Sequence, residues 1–162
     1  MNRYDSPLGT LLLVSDGTAL CGLYFEDQKH FPDLSGLKTQ SLPVFEETSA
    51  WLDLYFQGRV PDFTPPLSLH GSAFRLAVWN NLLTIPYGKV TTYGEIAMEL
   101  AETSGCRQSA QAVGGAVGHN PVSLIILCHR VIGRNGNLTG YAAGLFRKEA
   151  LLSLEQTGRL IL

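Results

Sequence analysis

An α+β fold is predicted for this chain, with a small antiparallel sheet in residues 1–70 and a helical part in residues 71–162 that carries a helix-turn-helix. Three observations predict it. Two apolar runs flank Asp16-Gly17 near the N-terminus, a hairpin signature. Pro61, Pro65 and Pro66 then mark an extended linker that runs to His70. Beyond it, two short helical stretches meet at a break, Thr103-Ser104-Gly105. Any helical hairpin gives that last pattern, so spacing alone leaves the type of hairpin open.

Each element has a local cause. Leu8-Gly9-Thr10 leads into the apolar run 11–14, and after the turn a second strand covers 19–25. A loop with Pro, Gly and Ser follows (31–43), and residues 46–56 then place Trp51, Leu54 and Tyr55 at helical spacing before Gly58. Ser72 can cap a helix whose apolar face carries Phe74, Ala77, Val78, Leu82 and Ile85, and Pro86-Tyr87-Gly88 ends it. Thr92-Tyr93-Gly94-Glu95 is a capping box, in which hydroxyl and carboxylate satisfy each other's orphan amides. It opens a helix to about Ala101, and a second runs from about Gln108 to Gly118. A last amphipathic helix, 145–156, packs through Leu145, Leu151, Leu152 and Leu154, with Gly158 beyond it.

The chain of 162 residues suffices for one large domain or two small ones, and 45% hydrophobic against 16% charged residues excludes disorder. No apolar run is long enough to span a bilayer, and Met1-Asn2-Arg3-Tyr4-Asp5 lacks the apolar core of a secretory signal. A cytoplasmic protein without a membrane partner is expected. Three widely spaced cysteines, Cys21, Cys106 and Cys128, argue for a reduced compartment rather than a disulfide framework. The four histidines are scattered, and no spacing proposes a metal site. Net charge is −5 over residues 1–70 and +3 over 71–162, so the second half is compatible with a polyanionic partner. Plus three is modest. It implies few phosphate contacts and a shallow salt dependence.

The most informative stretch is Ile126-Leu127-Cys128-His129-Arg130-Val131, a cysteine at the end of an apolar, strand-like run and eight residues after Asn120. A free thiol, with a pKa of about 8.5, is mostly protonated at neutral pH. An imidazole and a cation beside it would favour the nucleophilic thiolate. A buried structural cysteine is the competing reading, since free Cys packs like a small hydrophobe.

The second short helix also has two readings. Ala110-Gln111-Ala112-Val113-Gly114-Gly115-Ala116-Val117-Gly118 is nearly all small residues, although each helical glycine costs about 1 kcal/mol relative to alanine. Either the helix packs tightly on the core, or it is slim because something approaches its backbone. A minor groove is about 6 Å wide, and an Ala/Gly face would enter it more deeply than long side chains allow. Gln111 would then be the one long polar side chain placed to reach bases.

Taken together, these residues resemble the O6-alkylguanine-DNA alkyltransferases, the methylated-DNA–protein-cysteine methyltransferases. The resemblance covers essentially all of 71–162 and, more loosely, the first half. It rests on Ile85-Pro86-Tyr87-Gly88-Lys89-Val90, Thr92-Tyr93-Gly94, Ala112-Val113-Gly114-Gly115-Ala116, Asn120-Pro121-Val122, Cys128-His129-Arg130-Val131, Gly140-Tyr141 and Lys148-Glu149. Each motif is weak alone, whereas their order and spacing are specific. The resemblance implies a ribonuclease-H-like N-terminal domain and a C-terminal domain that binds double-stranded DNA as a monomer. It implies a single-use transfer of an alkyl group from O6 of guanine, and by the same route O4 of thymine, to Cys128, with no cofactor. The implied catalytic set is Cys128, His129 as base, Glu149 bonded to that base, and Asn120 bracing the cysteine turn. Tyr93 would displace a phosphate and bond the flipped base, Tyr141 and Ala142 would line the pocket, and the main chain at Cys128 and Val131 would read the guanine amino group. Arg107, Ser109, Ala110, Gln111, Ala112, Gly114 and Gly115 would face DNA.

Two departures stand out. Leu127 occupies a position where the family usually has proline, which removes a φ restraint and is expected to loosen the nucleophile. Gln111 replaces the arginine that usually fills the gap left by the flipped base, which removes a charge. Arg130 reads either as part of the site or as a structural tie. Other assignments remain: a lesion-binding protein without efficient transfer, a cysteine hydrolase using Cys128, His129 and Asn120, and an ordinary helix-turn-helix regulator. The first of these relatives lacks the cysteine, the second finds no support elsewhere in the chain, and the third leaves Cys128-His129-Arg130 unexplained.

Overall fold

The structure, a computed structural model, describes residues Met1–Leu162. Three antiparallel strands, β1 (Asn2–Ser6), β2 (Gly9–Ser15) and β3 (Leu20–Phe25), form a sheet in sequence order. β1 escapes the sequence pattern because it is polar and half-exposed; its pairing with β2, from Asn2↔Leu13 to Ser6↔Gly9, is what makes it a strand. β2 is the central strand, and its Leu11, Leu12 and Leu13 are all buried. The linker is extended as expected, but it is also paired: Leu20 N–H donates to Pro66 O (2.7 Å) and Ser68 N–H to Leu20 O (2.9 Å).

Helix α1 (Pro43–Phe56) starts three residues before the predicted helix, because proline suits a first helical turn whose N–H groups lack partners anyway. It buries Val44, Phe45, Thr48, Trp51, Leu52 and Tyr55, a stripe at helical spacing. Helix α2 (Ala73–Leu82) is capped by Ser72, whose hydroxyl accepts from Arg75 N–H. Strand β4 (Thr91–Thr92) leads into α3 (Tyr93–Ser104), which opens with the capping box and closes on Gly105 at φ 69°. Thr103 and Ser104 therefore belong to the helix; the left-handed conformation that stops it falls on glycine alone. Helix α4 (Ala110–Gly118) begins at its Ser109 cap, two residues later than expected. Trp79 of α2 supports it from behind, donating from Nε1 to Ala116 O at 2.9 Å. After strand β5 (Val131–Ile132), which runs parallel to β4, helix α5 (Leu145–Thr157) ends on Gly158 at φ 71°.

The strand expected before Cys128 is absent. Residues 121–127 form a buried loop in which Leu124 holds φ +71°, an unusual conformation for a bulky residue. Leu124 is fully buried, so packing enforces what local preference opposes. Sheet, α1 and the helices of the second half share one apolar core, and both halves therefore contribute walls to this loop. No helix is long and apolar enough to cross a membrane.

Candidate active site

Cys128, His129 and Arg130 form a short 3-10 turn rather than the end of a strand. A strand would point neighbours to opposite faces. A 3-10 turn, with three residues per turn, fans them out from one point. Asn120, just after α4, fixes the loop that delivers this turn. Its Nδ2 donates to Ile126 O (2.8 Å) and to Cys128 Sγ (3.0 Å), while Oδ1 accepts from Val122 N–H (2.9 Å). Leu127 takes φ −78°, inside the range a proline ring would impose. The backbone thus reaches the conformation without the ring, held by these amide bonds.

His129 is fully buried, and its Nε2 lies 2.6 Å from a carboxylate oxygen. That carboxylate belongs to Glu155, not to Glu149 as the resemblance implied. Glu149 is exposed on α5, six residues earlier. The physical reason lies in the helix period: Lys148, Leu151, Leu152 and Glu155, at i, i+3, i+4 and i+7, form the buried face, and Glu149 falls beside it. Arg130 binds the same carboxylate through Nε (2.8 Å) and Nη2 (3.0 Å), and its Nη1 donates to Ile85 O. Gly88 N–H adds a further bond at 3.1 Å. Arg130 is therefore both a tie between the turn, α5 and the end of α2, and the counter-charge of the site.

These contacts bear directly on protonation. Burial pushes the Glu155 carboxyl up, but the bonds from His129 and Arg130 outweigh it and hold the group at about 2. An ionised carboxylate only accepts, so the hydrogen in the His129–Glu155 bond sits on Nε2. Burial pushes the imidazole down despite Glu155, which keeps it neutral and leaves the Nδ1 lone pair free; Nδ1 has no hydrogen-bond partner in the protein. The Cys128 thiol is pushed up by burial, with Asn120 and Lys148 opposing that rise. Of the two neighbours expected from sequence to favour the thiolate, Arg130 is engaged by Glu155 and burial lowers the imidazole of His129, so Lys148 and Asn120 are the groups that oppose the effect of burial on the sulfur.

On the other side of the turn, Tyr93 is the first residue of α3 and donates from its hydroxyl to Thr139 O (3.1 Å). The same carbonyl accepts from Lys148 Nζ (2.8 Å). Lys148 is fully buried, and burial lowers its ammonium to about 8. Tyr141 is buried with no partner on its hydroxyl, whose pKa burial drives well above the ordinary value. Ala142 is half-buried and its carbonyl accepts from Lys29 N–H (2.9 Å), a strut from the N-terminal half. Val131 is buried in β5, paired with Thr91, so β4 and β5 tie Tyr93 to the cysteine turn.

Of the residues expected to face DNA, Arg107, Ser109, Ala110, Gln111, Ala112 and Gly115 are exposed and Gly114 is half-buried. Val113, Ala116 and Val117 turn inward. A Cβ at Gly115 would meet nothing within 4 Å, and one at Gly114 would reach the Tyr93 ring at an ordinary 3.8 Å. Tight packing on the core therefore does not explain the glycines. No group of three or more His, Cys, Asp or Glu side chains is placed to hold a metal ion. Sequence reasoning missed Glu155, Lys148 and Tyr55. The signal for the first two was present as charged residues in register with the leucines of α5.

Fold and site define an α+β protein in which a buried thiol, braced by an asparagine and followed by an imidazole–carboxylate pair, stands behind a bare, exposed helix. Family models describing the 6-O-methylguanine DNA methyltransferase ribonuclease-like domain and DNA binding domain match residues 2–69 and 73–157. A methylated-DNA–protein-cysteine methyltransferase of Haemophilus influenzae is 42% identical over 154 residues, covering 94% of this chain and 84% of the relative. One from Methanosarcina acetivorans is 41% identical over 152 residues, covering 94% and 95%. The crystal structure of Mycobacterium tuberculosis OGT in complex with DNA superposes with a TM-score of 0.83 at 42% identity, covering 96% of this chain and 92% of that one. The chain belongs to the 6-O-methylguanine DNA methyltransferase family.

Proposed function

We propose that this protein repairs DNA directly, moving an alkyl group from O6 of guanine, and by the same chemistry O4 of thymine, to Cys128 Sγ. The observation that carries this reading is a thiol bonded to Asn120 in the same turn as an imidazole that bonds Glu155 through Nε2 and has no protein partner on Nδ1. A saturated carbon on a base oxygen calls for a soft nucleophile, and thiolate is the best that proteins possess. His129 Nδ1 receives the thiol proton, directly or through one water, and Glu155 stabilises the imidazolium that results. The sulfur electron pair then forms the bond to the alkyl carbon while the C–O6 bond breaks. Its electrons return to the purine, which takes up the proton, so guanine is restored and Cys128 ends as a thioether. Nothing in the site regenerates the thiol, and each molecule acts once.

A base stacked in a duplex is out of reach, so the nucleotide is flipped out at a cost of a few kcal/mol. The α3–α4 helix-turn-helix enters the minor groove with Ala110, Ala112, Gly114 and Gly115 against the backbone, while Gln111 fills the gap and Arg107 and Ser109 meet phosphates. The DNA complex of the M. tuberculosis relative supports this assignment of partner. Tyr93 bonds the flipped base, Tyr141 and Ala142 wall the alkyl group, and main-chain atoms of Cys128 and Val131 read the guanine amino group. In this reading residues 1–70 brace the transfer domain, 71–162, of a cytoplasmic monomer whose three thiols are free.

The test is incubation with a duplex containing O6-methylguanine, followed by intact mass and peptide mapping. One methyl on Cys128, absent in Cys128→Ala, is the expected result. Unmodified protein that retains the lesion duplex would establish lesion binding without transfer instead.

A further inference from the structure

The carboxylate behind the base has a contact that comes from the other half of the chain. Tyr55, near the end of α1, is fully buried and donates from its hydroxyl to Glu155 Oε1 at 2.7 Å. That oxygen also receives His129 Nε2 at 2.6 Å and Arg130 Nη2 at 3.0 Å. The Tyr55 oxygen lies 3.2 Å from the same Nε2. Because its one hydrogen is given to Glu155, its lone pair faces the Nε2 hydrogen, which is thus shared between carboxylate and phenol. The ring is locked: it stacks on Trp51 (5.2 Å between centroids, planes within 9°) and meets Tyr87 and His129 edge-on.

We propose that Tyr55 is a positioning residue for the proposed base: its hydroxyl, bonded to the carboxylate oxygen that also holds the imidazole, limits how strongly Glu155 draws a proton onto His129. A carboxylate oxygen that already accepts from a phenol and a guanidinium has less electron density left for an imidazolium. This adds to burial in keeping the imidazole neutral, with Nδ1 free to accept. The charged groups that act on it are Glu155 and Lys148 from α5 and Arg130 from its own turn, and the phenol of Tyr55 from α1 lies within hydrogen-bond distance. Of these, Tyr55 alone is supplied by the N-terminal half. The ribonuclease-like part then has a chemical role in addition to a supporting one.

The inference rests on the proposed alkyl transfer, but its first readout does not. His129 is followed by nitrogen NMR against pH in the resting protein, in Tyr55→Phe, and in Tyr4→Phe, which removes another α1-facing hydroxyl, the one bonded to Asp53. Tyr55→Phe is expected to raise the His129 midpoint by about one pH unit, a tenfold gain in proton affinity. Tyr4→Phe leaves it unchanged. The acid limb of the transfer rate should move up with the midpoint, so that Tyr55→Phe is slow at low pH and recovers at high pH. If Tyr55→Phe does not fold, 3-fluorotyrosine at position 55 keeps the ring, donates more strongly and should lower the midpoint. An unmoved midpoint, or a rate reduced equally at every pH, would overturn the proposal. Wild-type protein that transfers no methyl at all would overturn the functional reading, and the NMR midpoint would still judge Tyr55.

Discussion

The exposed face of α4 and the buried layer beneath Cys128 are built on opposite principles. On α4 nearly everything is small and free of internal partners: Ala110, Ala112 and Gly115 touch solvent, and the glycines there meet little or nothing. Beneath Cys128 the buried polar groups are tightly bonded, with Glu155 accepting from Tyr55, His129, Arg130 and Gly88 and Lys148 donating to Thr139 O. Asn120 joins the two, since it follows α4 directly and bonds the sulfur. The lesson is that the first region gives up folding stability to stay accessible, and the second uses burial to set protonation states. Substitutions should therefore affect the two in different ways.

The largest effect is expected in the buried layer. Glu155→Ala leaves Arg130 buried without its counter-charge and should lower unfolding stability in a denaturant titration by about 3–5 kcal/mol. The pH dependence has a definite sign. The Glu155 carboxyl is held at about 2 in the folded state against an ordinary 4.5, so its contribution is complete above 4.5 and is lost as pH falls from there towards 2. Acid titration of wild type should show that loss, and Glu155→Gln should flatten it.

On α4 the sign should reverse. Gly115→Ala meets no atom within 4 Å and removes a helical glycine, so it should stabilise the fold by up to about 1 kcal/mol. If the bare face enters a groove, the added methyl weakens DNA binding at the same time. A variant that gained stability and bound DNA unchanged would break the comparison. The smallest effect sharpens it: Gln111→Arg adds a cation inside the duplex and should tighten DNA binding and steepen the salt dependence of log K by up to about 0.9, the value for one phosphate charge neutralised.

The two regions also differ in how far they could be read from sequence. The capping box, the Ser72 cap, the bare α4 face and Asn120 before the cysteine are local patterns, each decided within a few residues. The carboxylate partner of His129 is not. It lies 26 residues away, and Glu149, one residue after Lys148, fits the family motif but not the helix period. Counting i, i+3, i+4 and i+7 from Lys148 would have selected Glu155. The strand expected before Cys128 failed for a related reason: a short apolar run reads alike whether it is a strand or a buried loop, and only Leu124 at φ +71° shows which. Tyr55 was legible as a core residue of α1, whereas its hydroxyl contact with Glu155, 100 residues on, was not.

Glu155, rather than Glu149, is the carboxylate bonded to His129. Single-turnover methyl transfer from an O6-methylguanine duplex at neutral pH tests its role directly, comparing Glu155→Gln with Glu149→Gln. A base that loses its stabilising charge should slow by on the order of 100-fold, so Glu155→Gln is predicted to fall by that much and Glu149→Gln to match wild type. Equal rates for wild type and Glu155→Gln, or a collapse in Glu149→Gln alone, would contradict it.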